Sequence, residues 1–164
     1  MNDPRLEKHC WAEIDLDALR HNFSFIQRTV HGPICAVVKA DAYGHGDIVV
    51  ARVLQEQGAA AFAVSCLAEG KRLRRHGITV PVLILGYADP AEAAVLAQEE
   101  ITTACFSSEY AKALSVAAMA AGVQVKVHLK IDTGMGRIGF AAQKDWQGVV
   151  QELEALYALP GLEI

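Results

Sequence analysis

Residues 34–46 read ICAVVKADAYGHG, an apolar run that leads directly into a lysine and a loop containing two glycines. The apolar residues 34–38 are typical of a buried strand, which places Lys39 where a strand ends and a loop begins. In α/β barrels the chemistry takes place at this edge. Lys39 alone would be interpreted as a solvated lysine at a strand end, but the whole octapeptide 39–46 favours a functional site.

Strand-like and helix-like runs alternate from Ile34 to the end of the chain. Single helices between successive strands predict right-handed βαβ units and a parallel sheet, as in doubly wound folds and TIM barrels. The first strand is not followed by G-x-G-x-x-G, which argues against a dinucleotide-binding fold. The expected strands are Ile34–Val38, Ala61–Ser65, Pro81–Leu85, Thr102–Phe106 and Val123–Ile131, with helices over 47–57, 67–76, 89–99, 107–122 and 145–159, and a further strand starting at Gly161.

The number of units predicts an incomplete barrel. The chain shows five βα units and the start of a sixth, whereas a closed TIM (β/α)8 barrel has eight units and about 250 residues. We therefore expect an α/β fold made of the first five to six units of a TIM barrel. Residues 1–164 are expected to be one partial barrel domain and a fragment of a longer protein.

The segment before the repeating units is different in kind. Residues 11–16, WAEIDL, alternate roughly as a half-buried strand does, and Asp15 or Asp17 is expected to cap a helix that extends to about Val30. A strand ahead of a βα array suggests that residues 1–16 pair with a later β-domain that this chain lacks. A short capping strand on the barrel floor is the alternative.

Residues 125–132, VKVHLKID, alternate strictly between apolar and polar side chains. Period two places Lys126, His128, Lys130 and Asp132 on one face of a strand. A surface strand can show this pattern, but in a βαβ series the apolar face should meet the helices, leaving the polar face inside the barrel. Buried charges persist when they are paired or functional, so the pattern favours a site.

A glycine-rich loop, TGMGRIGF at residues 133–140, follows this strand. Its three glycines allow a ligand to approach the backbone closely. Arg137 is the cation in this loop, and its planar fork can bind a carboxylate, a phosphate or a phenolate oxygen.

Composition restricts the classes of function. The chain of 164 residues is 52% hydrophobic and 21% charged, as in ordinary globular proteins, and its net charge of −4 makes nucleic acid an unexpected partner. No signal peptide and no apolar run of about 20 residues is visible, so we expect no membrane association. The four widely spaced cysteines form neither a metal-ligand pair nor a disulfide framework. These features predict a soluble cytoplasmic protein with buried free thiols and no metal.

Two long segments resemble one known family. Residues 36–46 resemble the pyridoxal-phosphate attachment segment of alanine racemases, and residues 128–139, HLKIDTGMGRIG, resemble the second signature of the same family. Residues 11–16 and the helix after them also fit, so the resemblance spans essentially the whole chain. Related barrel enzymes such as the basic amino-acid decarboxylases have a lysine motif without the Tyr-Gly-His-Gly continuation.

The resemblance implies a role for each matching residue. Lys39 would carry pyridoxal 5'-phosphate covalently and act as one of two catalytic bases, and Tyr43 would bind the cofactor phosphate. Arg137 would be catalytic and cofactor-binding, beside the ring's phenolic oxygen and the substrate carboxylate. Lys130 matches a lysine that is commonly carbamylated and would hold Arg137, and Leu85 would line the cofactor pocket.

The implied activity is the interconversion of L- and D-alanine, which supplies D-alanine for peptidoglycan. The family's second base is a tyrosine from the C-terminal domain of the other subunit of a homodimer, so this chain alone is expected to be inactive. The alternatives are a serine or broad-specificity racemase, and a catalytically inactive half-barrel or carrier that binds pyridoxal phosphate.

Overall fold

The computed structural model describes residues 10–164. Its helices are α1 (Leu16–Val30), α2 (Lys39–Gly44), α3 (Asp47–Glu56), α4 (Leu67–Arg75), α5 (Ala93–Gln98), α6 (Ser108–Ala121) and α7 (Trp146–Leu156), with a 3-10 turn at Pro90–Glu92. Its strands are β1 (Cys35–Val37), β2 (Ala61–Val64), β3 (Val82–Ile84), β4 (Ile101–Cys105), β5 (Val125–Leu129), β6 (Ile131–Asp132), β7 (Phe140–Ala141) and β8 (Leu162–Glu163).

The main sheet follows the order of the chain. Its strands are hydrogen-bonded in the order β1-β2-β3-β4-β5-β8, and each neighbouring pair is parallel. In a doubly wound sheet the order of the strands reverses at a switch point, and the strand order of this sheet does not reverse. The expected partial TIM barrel is therefore confirmed, with β8 as the start of the sixth unit.

The helices line one face of this sheet. Helix α3 packs against α4, α5 against α6, and α6 against α7, while α4, α5 and α6 each contact the strands. The apolar side chains between the helices and the sheet form the core, in which Phe62, Leu73, Ile84, Leu96 and Leu114 are fully buried. Helices on one face are the arrangement of a barrel wall.

The other face of the sheet is open in the part of the chain that the structure describes. Val125 and Val127 of β5 are buried in the core, as the alternating pattern predicts, but Lys126 and His128 are exposed. The expectation that these two side chains are buried inside a barrel is wrong for this chain, because five strands and the start of a sixth do not close the interior.

The strand expected over Trp11–Leu16 is absent from the described residues. Residues 10–15 have no regular structure, and α1 begins at Leu16 with Asp15 as its cap, whose carboxylate accepts from the Asp17 and Ala18 amides. A strand needs a hydrogen-bonding partner, and no described strand pairs with this segment. Its pairing with a later domain remains a prediction, and residues 1–9 lie outside the described residues.

The cysteines also differ from expectation. All four are free, but Cys105 is the buried one; Cys10 and Cys35 are exposed and Cys66 is half-buried. Cys35 lies on the open face of the sheet edge, which the sequence pattern of an apolar strand does not reveal. No helix among the described residues is long and apolar enough to cross a bilayer.

Candidate active site

The chain after β1 forms a left-handed helical turn rather than a simple glycine-rich loop. Ala40, Asp41, Ala42 and Tyr43 have φ between 51° and 57° and ψ between 34° and 52°. Inside the turn the Ala42 amide donates to Val38 O (2.9 Å), and the Gly46 amide donates to Asp41 O (2.9 Å). Each L-residue in this conformation costs about 1–2 kcal/mol, so four in succession require support from the surrounding structure.

Helix α4 supplies much of that support through two side chains. The Glu69 carboxylate accepts from the Ala40 amide (2.9 Å) and, through its other oxygen, from the Ser65 amide (2.7 Å) and hydroxyl (2.8 Å). Burial disfavours the charged form of Glu69, but these hydrogen bonds outweigh it and hold the pKa of the carboxyl below its ordinary value.

Arg72, one turn further along α4, binds the end of the turn. Its Nη2 lies 2.9 Å from Oδ1 of Asp47 and 3.3 Å from Oδ1 of Asp41, which also accepts from the Asp47 amide (3.0 Å). The contact with Asp47 has the distance of an ion pair but not the geometry of a hydrogen bond. Burial raises the pKa of Asp47, whose side chain is 3% exposed, and the Arg72 guanidinium opposes this rise.

A cavity of about 290 Å³ lies at the carboxyl ends of β1, β2 and β3. It brings together Lys39, Leu85 and Arg137, which are far apart in the sequence. Among the described residues it is lined by Lys39, Ser65, Leu85, Gly86, Arg137 and Ile138. The cavity thus combines a primary amine, a guanidinium and apolar walls.

Gly86 lets the walls of this cavity approach closely. A Cβ atom at this position would lie 2.5 Å from the carbonyl oxygen of Ser65, so any side chain would force the two strand ends apart. Strands β2 and β3 remain paired up to this point, where the Leu85 amide donates to Val64 O at 2.8 Å.

Tyr43 lies near Lys39 but outside the set that lines the cavity. The Lys39 Nζ atom is 6.0 Å from the centre of the Tyr43 ring, and the Tyr43 side chain is 62% exposed. The Tyr43 side chain is therefore exposed to solvent next to Lys39.

Lys130 shapes the loop that carries Arg137. Its amide donates to Cys105 O (2.8 Å), and its carbonyl accepts from the Phe140 amide (2.9 Å), which closes the loop between β6 and β7. Asp132 orders the same loop, since its Oδ1 accepts from the Gly134 (2.9 Å) and Gly136 (3.0 Å) amides. These backbone hydrogen bonds lower the pKa of Asp132.

A larger cavity of about 420 Å³ lies between α1, β1 and α3. Its lining is mostly apolar, with Leu19, Val37, Val50 and Leu54 among its residues, and Lys39 and Arg137 are not part of it. We therefore place the candidate site in the smaller cavity, which Lys39 and Arg137 line.

Sequence reasoning missed Glu69, Arg72 and Asp47. Glu69 is the third residue of α4, a position where an acidic side chain commonly bonds backbone amides at the helix start. That signal is visible in the sequence, but its hydrogen bond to Ala40, 29 residues away, is not.

A parallel sheet whose strands follow the order of the βα units, with its helices on one face, defines this chain as part of a βα-barrel. The family model described as alanine racemase, N-terminal domain, matches residues 14–164, and the chain belongs to this family.

Relatives and solved structures agree with this assignment. Alanine racemase of Desulforamulus reducens is 44% identical over 162 residues, covering 97% of this chain and 43% of the relative; that of Clostridium perfringens is 45% identical over 155 residues, covering 94% and 39%. The structure of Clostridium difficile 630 alanine racemase has a TM-score of 0.86 at 40% identity, covering 93% of this chain and 40% of that one. A histidine racemase from Leuconostoc mesenteroides has a TM-score of 0.79 at 34% identity, covering 90% and 39%. The chain thus spans about two fifths of the length of these proteins.

Proposed function

We propose that this chain is the N-terminal barrel portion of a pyridoxal-phosphate-dependent alanine racemase, an isomerase that interconverts L- and D-alanine. The observation that carries the proposal is the meeting of Lys39, Leu85 and Arg137 in one cavity at the carboxyl ends of parallel strands. Lys39 and Arg137 belong to the two segments by which the chain resembles the family.

The residues of this cavity fit pyridoxal phosphate. The Lys39 amine can bond the aldehyde carbon, Leu85 offers an apolar wall for the ring, and Arg137 can bind its phenolic oxygen. Tyr43, next to Lys39, can donate its hydroxyl to the phosphate. When bound, the cofactor delocalises the negative charge left by removal of the α-proton.

Once the amino group of the substrate has replaced it on the cofactor, the freed Lys39 amine would have a second role as a base. Its Nζ atom would accept the α-proton on one face of the substrate and return it in the opposite direction, while Arg137 orients the substrate carboxylate. The proposal for the whole protein also includes a second base, the homodimer that supplies this base, and the remaining cofactor contacts. They are proposed for the whole protein because this chain covers 43% or less of the relatives cited above.

Lys130 is the proposed site of carbamylation. The lysine ammonium would lose one proton, and the neutral amine would then add to carbon dioxide and release a second, so that a cation is replaced by a carbamate anion. An unmodified ammonium would repel Arg137, whereas a carbamate could hold it. The Lys130 backbone already closes the loop that carries Arg137.

The test uses the complete gene product with added pyridoxal phosphate. We expect D-alanine to form from L-alanine, together with a visible absorption band of the lysine-bound cofactor, and both to be lost in Lys39→Ala. Lys112→Ala removes an exposed lysine on α6 and should change neither measurement. Absence of the absorption band from the wild-type protein would reject the proposal. The 164-residue chain on its own should form no D-alanine.

A racemase for another amino acid is the second candidate. The similarity to a solved histidine racemase favours it, since that protein shares this barrel portion at 34% identity. Measuring the racemisation of L-alanine, L-serine and L-histidine side by side distinguishes the candidates, and a preference for L-alanine in kcat/KM supports the leading proposal.

A further inference from the structure

We propose that Glu69 is a positioning residue for Lys39, and that Arg72 assists it by holding the far end of the left-handed turn. The inference rests on the proposed function, in which Lys39 carries the cofactor. Both side chains project from α4, three residues apart and therefore on the same face of that helix.

The left-handed turn is an unfavourable conformation that contacts outside it stabilise. Hydrogen bonds at its ends join Ala42 to Val38, His45 to Ala42 and Gly46 to Asp41, while the amide of Ala40 donates outside the turn, to Glu69. Four successive L-residues in this conformation are disfavoured, so the chain would relax if contacts outside the turn were removed.

Glu69 holds the peptide unit of Lys39 itself. The N–H of Ala40 belongs to the same planar unit as the carbonyl of Lys39, so the 2.9 Å hydrogen bond from Ala40 to Glu69 restricts the rotation of Lys39 about its Cα–C bond. The direction in which the Lys39 side chain leaves the backbone depends on that rotation. A carboxylate outside the cavity thus aims the amine that lines it.

The other oxygen of Glu69 connects this peptide to the neighbouring strand end. It binds the amide and hydroxyl of Ser65, a residue that lines the same cavity as Lys39. One carboxylate therefore sets the spacing between the ends of β1 and β2. A helix-capping role alone would require a contact with the amide of Cys66, the N-cap of α4, but not the contacts with Ser65 and Ala40.

Arg72 connects the left-handed turn to the start of α3. It bridges Asp41, within the turn, and Asp47, at the start of α3. Asp47 is 2% exposed, so this end of the turn is fixed to the protein interior.

The experiment compares Glu69→Gln with wild type in the complete gene product. The amide of Gln keeps one acceptor oxygen but cannot accept from Ala40 and Ser65 on opposite sides. Glu109→Gln is the matched control, because it also removes an acidic side chain from the first turn of a helix that follows a strand, and Glu109 is exposed.

Two measurements are made without cofactor and one with it. Amide hydrogen exchange in peptides spanning residues 38–46 is expected to accelerate about tenfold or more in Glu69→Gln, the effect of losing a hydrogen bond to a charged group. The rate of acetylation of Lys39 relative to Lys112 should change as well. The concentration of pyridoxal phosphate that half-saturates the visible absorption band should rise about tenfold. Glu109→Gln should match wild type in all three.

Unchanged exchange over residues 38–46 in Glu69→Gln, with unchanged cofactor affinity, would overturn the inference. Faster amide exchange throughout the barrel would mean that Glu69→Gln is unfolded, and Arg72→Gln would then be used to test the inference. Arg72 is exposed, so this variant keeps the core, and faster exchange confined to residues 41–47 is expected; exchange equal to wild type would reject the role of α4.

Failure of the proposed function has a different signature. A wild-type protein without a lysine-bound cofactor band refutes the racemase proposal, whereas a wild-type band that Glu69→Gln retains at equal affinity refutes only the positioning role.

Discussion

Replacing Gly86 by alanine tests whether close contact between the ends of β2 and β3 shapes the candidate site. The new Cβ would lie 2.5 Å from Ser65 O, whereas ordinary contacts begin at 3.4 Å. One strand end must therefore move by about 0.9 Å, since neither atom belongs to a flexible side chain. Overpacking of this kind costs about 1–3 kcal/mol of unfolding free energy.

Gly32→Ala is the matched control for this substitution. Neither glycine has a φ in the left-handed region, and a Cβ at Gly32 would meet its nearest atom at 3.9 Å. Alanine also reduces the entropy of the unfolded chain, so Gly32→Ala should stabilise the protein by about 0.4–1 kcal/mol. The two substitutions are thus expected to have opposite signs.

The assay is urea unfolding of the complete gene product, with a titration of pyridoxal phosphate followed by visible absorption. Gly86→Ala should lower the unfolding midpoint without a change in slope. It should also weaken cofactor affinity about tenfold, because both displaced residues line the cavity. Equal midpoints for Gly86→Ala and Gly32→Ala, with cofactor affinity retained, would refute the reasoning.

Three further predictions address charge, thiol chemistry and the core. The pKa of Glu69 is lowered in the folded state, so the contribution of its carboxylate to stability is complete above the ordinary pKa of 4.5. This contribution is lost as the pH falls through the folded value. In thermal unfolding at pH 3 to 7, the unfolding temperatures of wild type and Glu69→Gln should therefore converge in acid. Burial raises the pKa of Cys105 to about 11 and also raises that of Cys35, whereas Cys10 is exposed, so iodoacetamide at pH 7.5 should alkylate Cys10 before Cys105, and equal rates by mass spectrometry would contradict this. Leu114→Ala removes a side chain that is 0% exposed and should cost about 2–5 kcal/mol in urea unfolding, whereas Val116→Ala, at 70% exposure on the same helix, should cost less than about 0.5 kcal/mol.

Periodicity and helix-end signals made most of the fold predictable. The strand expected over Ala61–Ser65 is observed at Ala61–Val64, and the helix expected over 145–159 is observed at Trp146–Leu156, with Asp145 as its cap. Apolar runs and capping residues are local signals, so each βα unit can be predicted from its own sequence. The connection rules predicted a parallel sheet, and the absence of a dinucleotide-binding motif favoured the strand order of a barrel over that of a doubly wound fold.

The left-handed turn was not predictable in the same way. Residues 40–43 have no glycine, and only Asp41 among them is of a type that occasionally adopts positive φ. Their conformation depends on Glu69 and Arg72, which lie 29 to 31 residues further along the chain. The strand predicted at residues 11–16 failed for a related reason, since a strand exists only with a partner.

The site was predictable as far as its residues carry recognisable chemistry. Lys39, Leu85 and Arg137 were named from the sequence or from the resemblance, and the structure brings them to one cavity. Tyr43 and Lys130 lie outside that lining, and their roles remain predictions.

The order of the strands along the chain has a consequence for synthesis. Each strand of the main sheet pairs with the strand of the preceding βα unit, so most long-range contacts of a unit are available as soon as that unit has left the ribosome. Glu69 bridges Lys39 and Ser65 in one part of the barrel wall. This part can form when α4 has emerged from the ribosome, about sixty residues before Arg137 emerges. The nascent protein therefore assembles its reactive amine first and completes the cavity around it later.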